Sequence, residues 1–143
     1  MLHLGISQIS GGSKTSVGGY ADDVPDAEDS AQFDVNDRRT LDEVARWLME
    51  MGYIPSFCTA CYRLGRTGEH FMEFSVPGFI KRYCTPNAIL TLSEYLVDYA
   101  TPEVAAKGWK VIENNLCNVD EQFRDELLAR IERIKKGERD LYF

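Results

Sequence analysis

Apolar residues recur at helical spacing through the chain from residue 37 onward. The first helix is predicted to begin at Thr40, because Thr40 and Glu43 form a T-x-x-E capping box that satisfies orphan backbone N–H groups. Three further helices are predicted from the same spacing of apolar positions, starting near Pro86, after Thr101 and at about Asp120. The pattern therefore predicts a mainly α fold, with a small helical domain over residues 37–143.

The first ten residues carry a different pattern. Residues 2–10 mix apolar residues with Ser and Gln and run into the sequence GGSKTSVGGY, which is typical of a short buried strand followed by a Gly/Ser-rich loop. One strand cannot satisfy its own edges, and no second strand is predicted beside it. We therefore expect residues 1–36 to comprise the last strand and loop of a larger sheet, with an acidic linker at residues 21–30.

Composition and charge narrow the classes of function. The 143 residues are 44% hydrophobic, which is enough for one domain with a real core. The formal net charge of −7 lacks the basic footprint of a nucleic-acid-binding protein, and no apolar run is long enough to span a membrane. The opening MLHLGISQIS has neither the basic nor the apolar region of a signal peptide. We expect a cytoplasmic protein without nucleic-acid or membrane partners.

Three of the four cysteines lie within residues 58–84, in the sequence CTACYRLGRTGEHFMEFSVPGFIKRYC. Cys58 and Cys61 form a C-x2-C motif, and Cys84 follows after twenty-two further residues. Without an export signal, such cysteines favour metal ligation over disulfides. Backbone amides in a C-x-x-C turn can fold toward the thiolates and so direct both sulfurs at one metal centre. We therefore expect Cys58, Cys61 and Cys84 to be metal ligands.

Three thiols allow two kinds of metal site. A structural zinc would need a fourth protein ligand, which Cys117 or His70 could supply, and the protein would then be a zinc-bound helical interaction module without catalysis. An iron–sulfur cube on three thiolates would instead keep one iron open to a substrate or a further metal fragment. The residues by themselves leave both kinds of site open.

Two further groups of residues are candidate substrate contacts. Arg63 and Arg66 follow the C-x-x-C motif, where their charge would stabilise an anionic cluster or an anionic ligand on it. Ser10, Ser13 and Lys14 lie in the loop after the predicted strand, where hydroxyl and ammonium groups can hold a carboxylate. The alternatives are solvated surface arginines and an ordinary turn.

Longer stretches of the sequence carry a family resemblance. These are CTACYRLGRTGEHFM, GFIKRYCTPNAILTLSEYLVDYA, the ending IKKGERDLYF and the C-x2-C-x22-C motif itself. Together they resemble the HydG family, the radical-SAM tyrosine lyases that mature the active site of FeFe-hydrogenase. The opening LGISQISGGSKTSVGGY is similar to that family's last barrel strand and loop. The resemblance implies that residues 1–36 close a (β/α) TIM-like barrel and that residues 37–143 form the helical C-terminal domain.

The resemblance also implies a chemistry. Cys58, Cys61 and Cys84 would hold an auxiliary 4Fe–4S cluster, whose open iron is linked to an additional labile iron through a free cysteine molecule. In the family, S-adenosylmethionine and tyrosine react at the barrel, and a fragment of tyrosine is converted at the auxiliary cluster to carbon monoxide and cyanide bound to iron. The expected partners are the radical-SAM barrel and the scaffold proteins of hydrogenase maturation.

The chain departs from the family pattern in one respect. The family's C-x3-C-x2-C motif for the SAM-binding cluster is not found here, since the cysteines are at positions 58, 61, 84 and 117. We therefore expect this chain alone to bind the auxiliary cluster but not to cleave tyrosine, and we assign it no catalytic residue. S-adenosylmethionine would bind only together with the missing part of the barrel.

Overall fold

The computed structural model describes residues 2–16, 19–20, 37–69 and 78–143, and the chain divides into two compact units, Met1–Ala45 and Arg46–Phe143. The described α-helices are α1 (Leu41–Glu50), α2 (Ala60–Arg63), α3 (Thr85–Asp98), α4 (Pro102–Asn115) and α5 (Glu121–Lys135). Short 3-10 turns cover Leu2–Leu4 and Leu116–Asn118, and a π turn, Ile80–Cys84, runs directly into α3. The predicted mainly α class is confirmed. None of the described helices is long and apolar enough to cross a membrane.

Helix α1 begins at the predicted capping box. The backbone N–H of Thr40 donates to Glu43 Oε2 at 2.7 Å, and the backbone N–H of Glu43 donates to Thr40 Oγ1 at 3.2 Å. The helix ends before Gly52, whose φ of +83° is a left-handed conformation that glycine adopts without strain. Both ends of α1 therefore follow from the local sequence.

The core of the unit Arg46–Phe143 is built from three helices, with α3 packed against both α4 and α5. The side chains with no solvent exposure lie in α3 and α5 and are apolar except for Ser93: Ile89, Leu90, Leu92, Leu127 and Ile134. Helix α4 approaches α3 closely at Gly108, where an added Cβ would clash with the Leu96 side chain. This apolar centre fixes α3, and Cys84 lies immediately before the first residue of that helix.

The strand predicted over residues 2–10 is not observed. Leu2–Leu4 form a 3-10 turn, residues 6–10 have no regular structure, and Leu4 is 85% exposed. A strand needs a neighbour to satisfy its N–H and C=O groups, and the described residues include no other strand. The acidic residues 21–30 lie outside the described part of the chain. The domain boundary between residues 36 and 37 stays a prediction.

Candidate metal centre

The C-x-x-C motif forms a tight turn at the start of α2. The backbone N–H of Ala60, a residue that is 3% exposed, donates to Cys58 Sγ at 3.4 Å. Cys61 lies in the first turn of α2, and its carbonyl oxygen accepts from the backbone N–H of Arg66 at 2.8 Å. The chain reverses between these two residues at Gly65, which has a φ of +67°. An amide of the turn thus points at a cysteine sulfur, as the C-x-x-C spacing predicts.

The third cysteine ends the π turn Ile80–Cys84 and is half-buried, as are Cys58 and Cys61. Helix α3 follows at once, with Pro86 in its first turn, and the Lys81 carbonyl oxygen of the π turn accepts from the backbone N–H of Asp120 at 3.1 Å. A π turn is wider than an α-helical turn and is frequent at functional sites. Cys84 is therefore held at the start of a helix whose other end is anchored in the core.

The Cys84 thiol is influenced electrostatically by its neighbours. Burial is the largest cause that raises the pKa of the Cys84 thiol, and the thiols of Cys61 and Cys58 raise it further. The Arg66 guanidinium acts in the opposite direction and lowers this pKa. The fold thus brings Cys58, Cys61, Cys84 and Arg66 into one neighbourhood, although twenty-two residues separate the second and third cysteines.

The donor set consists of three half-buried thiols, the ligand type of both zinc sites and iron–sulfur clusters. Among the described residues, no group of three or more His, Cys, Asp or Glu side chains is arranged to hold one ion. A tetrahedral zinc site needs sulfurs about 4 Å apart, since each Zn–S bond is ~2.3 Å long. An iron–sulfur cube binds each thiolate to a different iron and so accepts sulfurs that are farther apart. Three half-buried thiols, an N–H on a sulfur and a nearby guanidinium fit such a cluster.

The two candidate fourth ligands differ in what the structure says of them. Cys117 is exposed in the turn Leu116–Asn118, and its thiol donates to the carbonyl oxygen of Asn114 at 3.4 Å. It is not among the groups whose charge acts on Cys84. A zinc site completed by Cys117 is therefore not formed by the described residues, while His70 lies outside them.

The two arginines near the cysteines have different environments. Arg63 is exposed and forms an ion pair with Asp140 at 2.7 Å. Arg66 is half-buried, and its guanidinium lies over the rings of Phe79 and Tyr83, 5.8 Å and 5.5 Å from their centres. The Nε of Arg66 is buried and has no hydrogen-bond partner among the described residues. A buried donor without a partner is costly, so Arg66 is the arginine with a donor to offer a ligand.

One residue of this region had no signal in the sequence. Asn87 is 3% exposed and lies one turn after Cys84 in α3. Its Oδ1 accepts from the backbone N–H of Phe143 at 2.7 Å, and its Nδ2 donates to the Phe143 carbonyl oxygen at 3.2 Å. The only hint in the sequence would have been a polar residue between buried positions of α3, a pattern too common to be diagnostic.

An open cavity of about 530 Å³ lies beside Cys84. Apolar side chains and the polar side chains of Ser56, Lys81, Asn115 and Asn118 line it. Cys84 thus borders a space large enough for a small ligand.

The loop candidates belong to the unit Met1–Ala45. Ser10 and Lys14 are exposed and Ser13 is half-buried, and the backbone N–H of Lys14 donates to the hydroxyl of Tyr20 at 2.8 Å. These residues lie in a loop, as predicted, but nothing among the described residues of this unit shows a carboxylate site. Their role in substrate binding stays a prediction.

Comparison with solved structures gives an informative match. No protein-family description matches the chain, and no curated protein matches it. A solved structure titled as HydG, a maturase of the [FeFe]-hydrogenase, matches with a TM-score of 0.89 and 49% sequence identity. The match covers 99% of this chain and 30% of that one. The chain therefore spans less than a third of the length of the solved protein that it resembles.

Proposed function

The chain belongs to the HydG family, as the counterpart of a portion of that maturase, and we propose that it holds an auxiliary 4Fe–4S cluster on Cys58, Cys61 and Cys84. In the complete protein this cluster would serve hydrogenase maturation, by carrying an iron on which carbon monoxide and cyanide derived from tyrosine are assembled. The lyase activity would belong to the complete protein, and this chain would supply the cluster-binding part.

The observation that carries the proposal is the grouping of three half-buried thiols with a buried donor, Arg66 Nε, that has no hydrogen-bond partner among the described residues. Three thiolates in one neighbourhood repel one another unless a metal neutralises them. A guanidinium nearby favours the negative charge that an iron–sulfur cluster and its ligands bring. The match to a maturase supports the same conclusion from an independent side.

The residues of the site have separable tasks in this proposal. The Ala60 N–H would stabilise the charge on the Cys58 sulfur and help to set the reduction potential of the cluster. Arg66 would donate its Nε–H to an anionic ligand at the open iron, while the rings of Phe79 and Tyr83 hold its guanidinium in place. The cluster supplies an iron with a free coordination position. Arg63 is already paired with Asp140 and is the weaker candidate for substrate contact.

The remaining parts of the proposal concern the complete protein. A radical-SAM barrel would bind S-adenosylmethionine and tyrosine, with Ser10, Ser13 and Lys14 at its edge as candidate carboxylate contacts. A free cysteine molecule would link the open iron to an additional labile iron. The product would pass to scaffold proteins of hydrogenase maturation in the cytoplasm.

Anaerobic reconstitution with iron and sulfide, followed by EPR of the reduced protein, tests the proposal directly. We expect a 4Fe–4S signal that shifts when free cysteine is added, because a ligand then occupies the open iron. The signal should be lost in Cys84→Ser and retained in Cys117→Ser, the matched control outside the thiol neighbourhood.

The zinc-bound interaction module predicts the opposite pattern. A colourless protein with one tightly bound zinc, which is lost in Cys117→Ser or in a His70→Ala variant, would overturn the cluster and favour that module. Cys117 is exposed, which argues against its being a ligand in such a zinc site.

A further inference from the structure

Residues 138–143 follow α5 and join the two segments that carry the cysteines. The carbonyl oxygen of Phe143 accepts from Asn87 Nδ2 at 3.2 Å and from an Arg66 guanidinium nitrogen at 3.5 Å. Asn87 lies one turn after Cys84, and Arg66 lies five residues after Cys61. One backbone carbonyl therefore connects the segment of the third thiol with the segment of the first two.

A second connection runs through Asp140. Its Oδ1 accepts from an Arg63 guanidinium nitrogen at 2.7 Å, and its backbone N–H donates to Glu94 Oε1 of α3 at 2.7 Å. The residue has a φ of +68°, the one positive φ of a non-glycine residue in the described part of the chain. Such a conformation persists only where the surroundings enforce it. Asp140 thus ties the end of α2 to α3 at a cost in backbone strain.

The segment itself is firmly anchored to the helical core. Arg139 forms two side-chain hydrogen bonds with Asp98 at the end of α3, one of them 2.7 Å long. The ring of Phe143 packs edge-on against the ring of Phe123, with 5.6 Å between the ring centres. The guanidinium carbon of Arg130 lies 3.9 Å from the centre of the Phe143 ring. Residues 138–143 are therefore anchored on α3 and α5, and from this position they can hold α2 and the C-x-x-C turn in place.

Helix α2, which these residues contact, has little stability of its own. It has four residues, far fewer than an isolated helix needs to persist in water. Arg63 at the end of the helix forms an ion pair with Asp140, and Arg66, three residues later, donates to Phe143. The separation of the C-x-x-C turn from Cys84 depends on direct contacts, namely Arg66 with the Tyr83 ring and the Phe57 N–H with Thr91 Oγ1 at 3.2 Å, and in addition on the contacts made by residues 138–143.

We propose that residues 138–143 form a clasp that sets the separation of the C-x-x-C turn from Cys84, with Asn87 and Asp140 as its positioning residues. Its importance for a cluster rests on the proposed function above. The effect of the clasp on the distance between the thiols does not depend on the proposed function, because it concerns the protein without metal.

A thiol crosslinking experiment on the metal-free chain tests the clasp. In a Cys58→Ser/Cys117→Ser background only Cys61 and Cys84 can react with dibromobimane, which becomes fluorescent when it bridges two neighbouring thiols. We expect Asn87→Ser to slow bridging by about fivefold, the change in population expected when an ordinary hydrogen bond is lost. Asp140→Asn, at an exposed position that tolerates change, should slow it by a smaller factor.

Glu138→Gln is the matched control. It removes a carboxylate two residues before Asp140, but the partner of Glu138 is Arg133 of α5, so this ion pair touches neither cysteine segment. Asp140→Asn and Glu138→Gln should lower the melting temperature equally, while only Asp140→Asn slows the bridging. Equal bridging rates in Asn87→Ser, Asp140→Asn and Glu138→Gln would overturn the clasp.

The same variants connect the clasp to the cluster. After reconstitution with iron and sulfide, we expect Asn87→Ser to release iron to a chelator faster than Glu138→Gln does and to broaden the EPR signal. If the unmodified chain takes up no cluster while the bridging rates still differ as expected, the proposed function fails and the clasp stands. If the cluster forms but the bridging rates are all equal, the clasp alone fails.

Discussion

The three-helix core and the two cysteine-bearing turns are held in place by different forces. In the core, Ile89, Leu90 and Leu92 have no solvent exposure, and the burial of apolar side chains is its main source of stability. Around the cysteines, Tyr62 is 78% exposed and Ile80 is 66% exposed, and the contacts are mostly polar. The helices can therefore fold without metal, whereas the position of the thiol turns depends more on polar contacts with other segments and on what the thiols bind.

The largest effect is expected from a cavity in the core. Leu127 has no exposure, so Leu127→Ala should lower the free energy of unfolding by about 2–5 kcal/mol, measured by urea denaturation without iron. Leu128→Ala is the control, because the neighbouring Leu128 is 41% exposed and should cost much less. Similar losses at the two positions would mean that the core is not the source of stability.

The next effect comes from overfilling the contact between α3 and α4. Gly108→Ala should cost about 1–3 kcal/mol, although alanine is the better helix former, because its Cβ would clash with Leu96. Urea denaturation of Gly108→Ala, Leu96→Ala and the double variant measures the coupling. If the clash is the cause, the double variant should lose less free energy of unfolding than the two single variants lose together. A loss equal to their sum would show that the clash is not the cause.

Loss of a thiol should leave the fold nearly unchanged and abolish the cluster. We expect Cys61→Ser to change the free energy of unfolding of the metal-free chain by no more than about 0.5 kcal/mol, as for a position away from the packed core. Iron content after reconstitution should fall to background in the same variant. A large loss of stability in the metal-free protein would contradict the division between core and turns.

The smallest effect is expected from the pH dependence of the Asp98–Arg139 ion pair, which anchors the clasp to α3. Hydrogen bonds from Arg139 lower the pKa of Asp98 below its unfolded value. This stabilisation is present above the unfolded pKa and is lost as pH falls through the folded pKa. The melting temperature of wild type should therefore exceed that of Asp98→Asn near neutral pH, and the difference should shrink to nothing in acid. A difference that does not depend on pH would show that the carboxylate charge is irrelevant.

Features fixed by neighbouring residues could be predicted from the sequence. The capping box at Thr40 and the start of α5 at Asp120, whose carboxylate accepts from the Gln122 N–H at 3.2 Å, are contacts of two or three residues in range. The C-x-x-C turn is local in the same sense. The strand over residues 2–10 could not be predicted reliably, because a strand exists only with its neighbours.

Features fixed by distant partners could not be predicted. Asn87 and Phe143 are 56 positions apart, and nothing in either residue type predicts that the two form hydrogen bonds. Arg63 and Arg66 look equivalent in the sequence, yet one meets Asp140 and the other keeps a buried Nε without a partner in the described part of the chain. Only the fold decides which arginine is left to meet a ligand.

The π turn Ile80–Cys84 makes the length of this part of the chain matter more than its composition. Because Cys84 is fixed to α3, a one-residue deletion within the turn would rotate the residues before it, including Phe79 beneath Arg66, by about 100° around the helix axis. Point substitutions at the exposed Ile80 would leave this phase unchanged. Among related chains, substitutions should therefore be common in this turn and gaps should be rare.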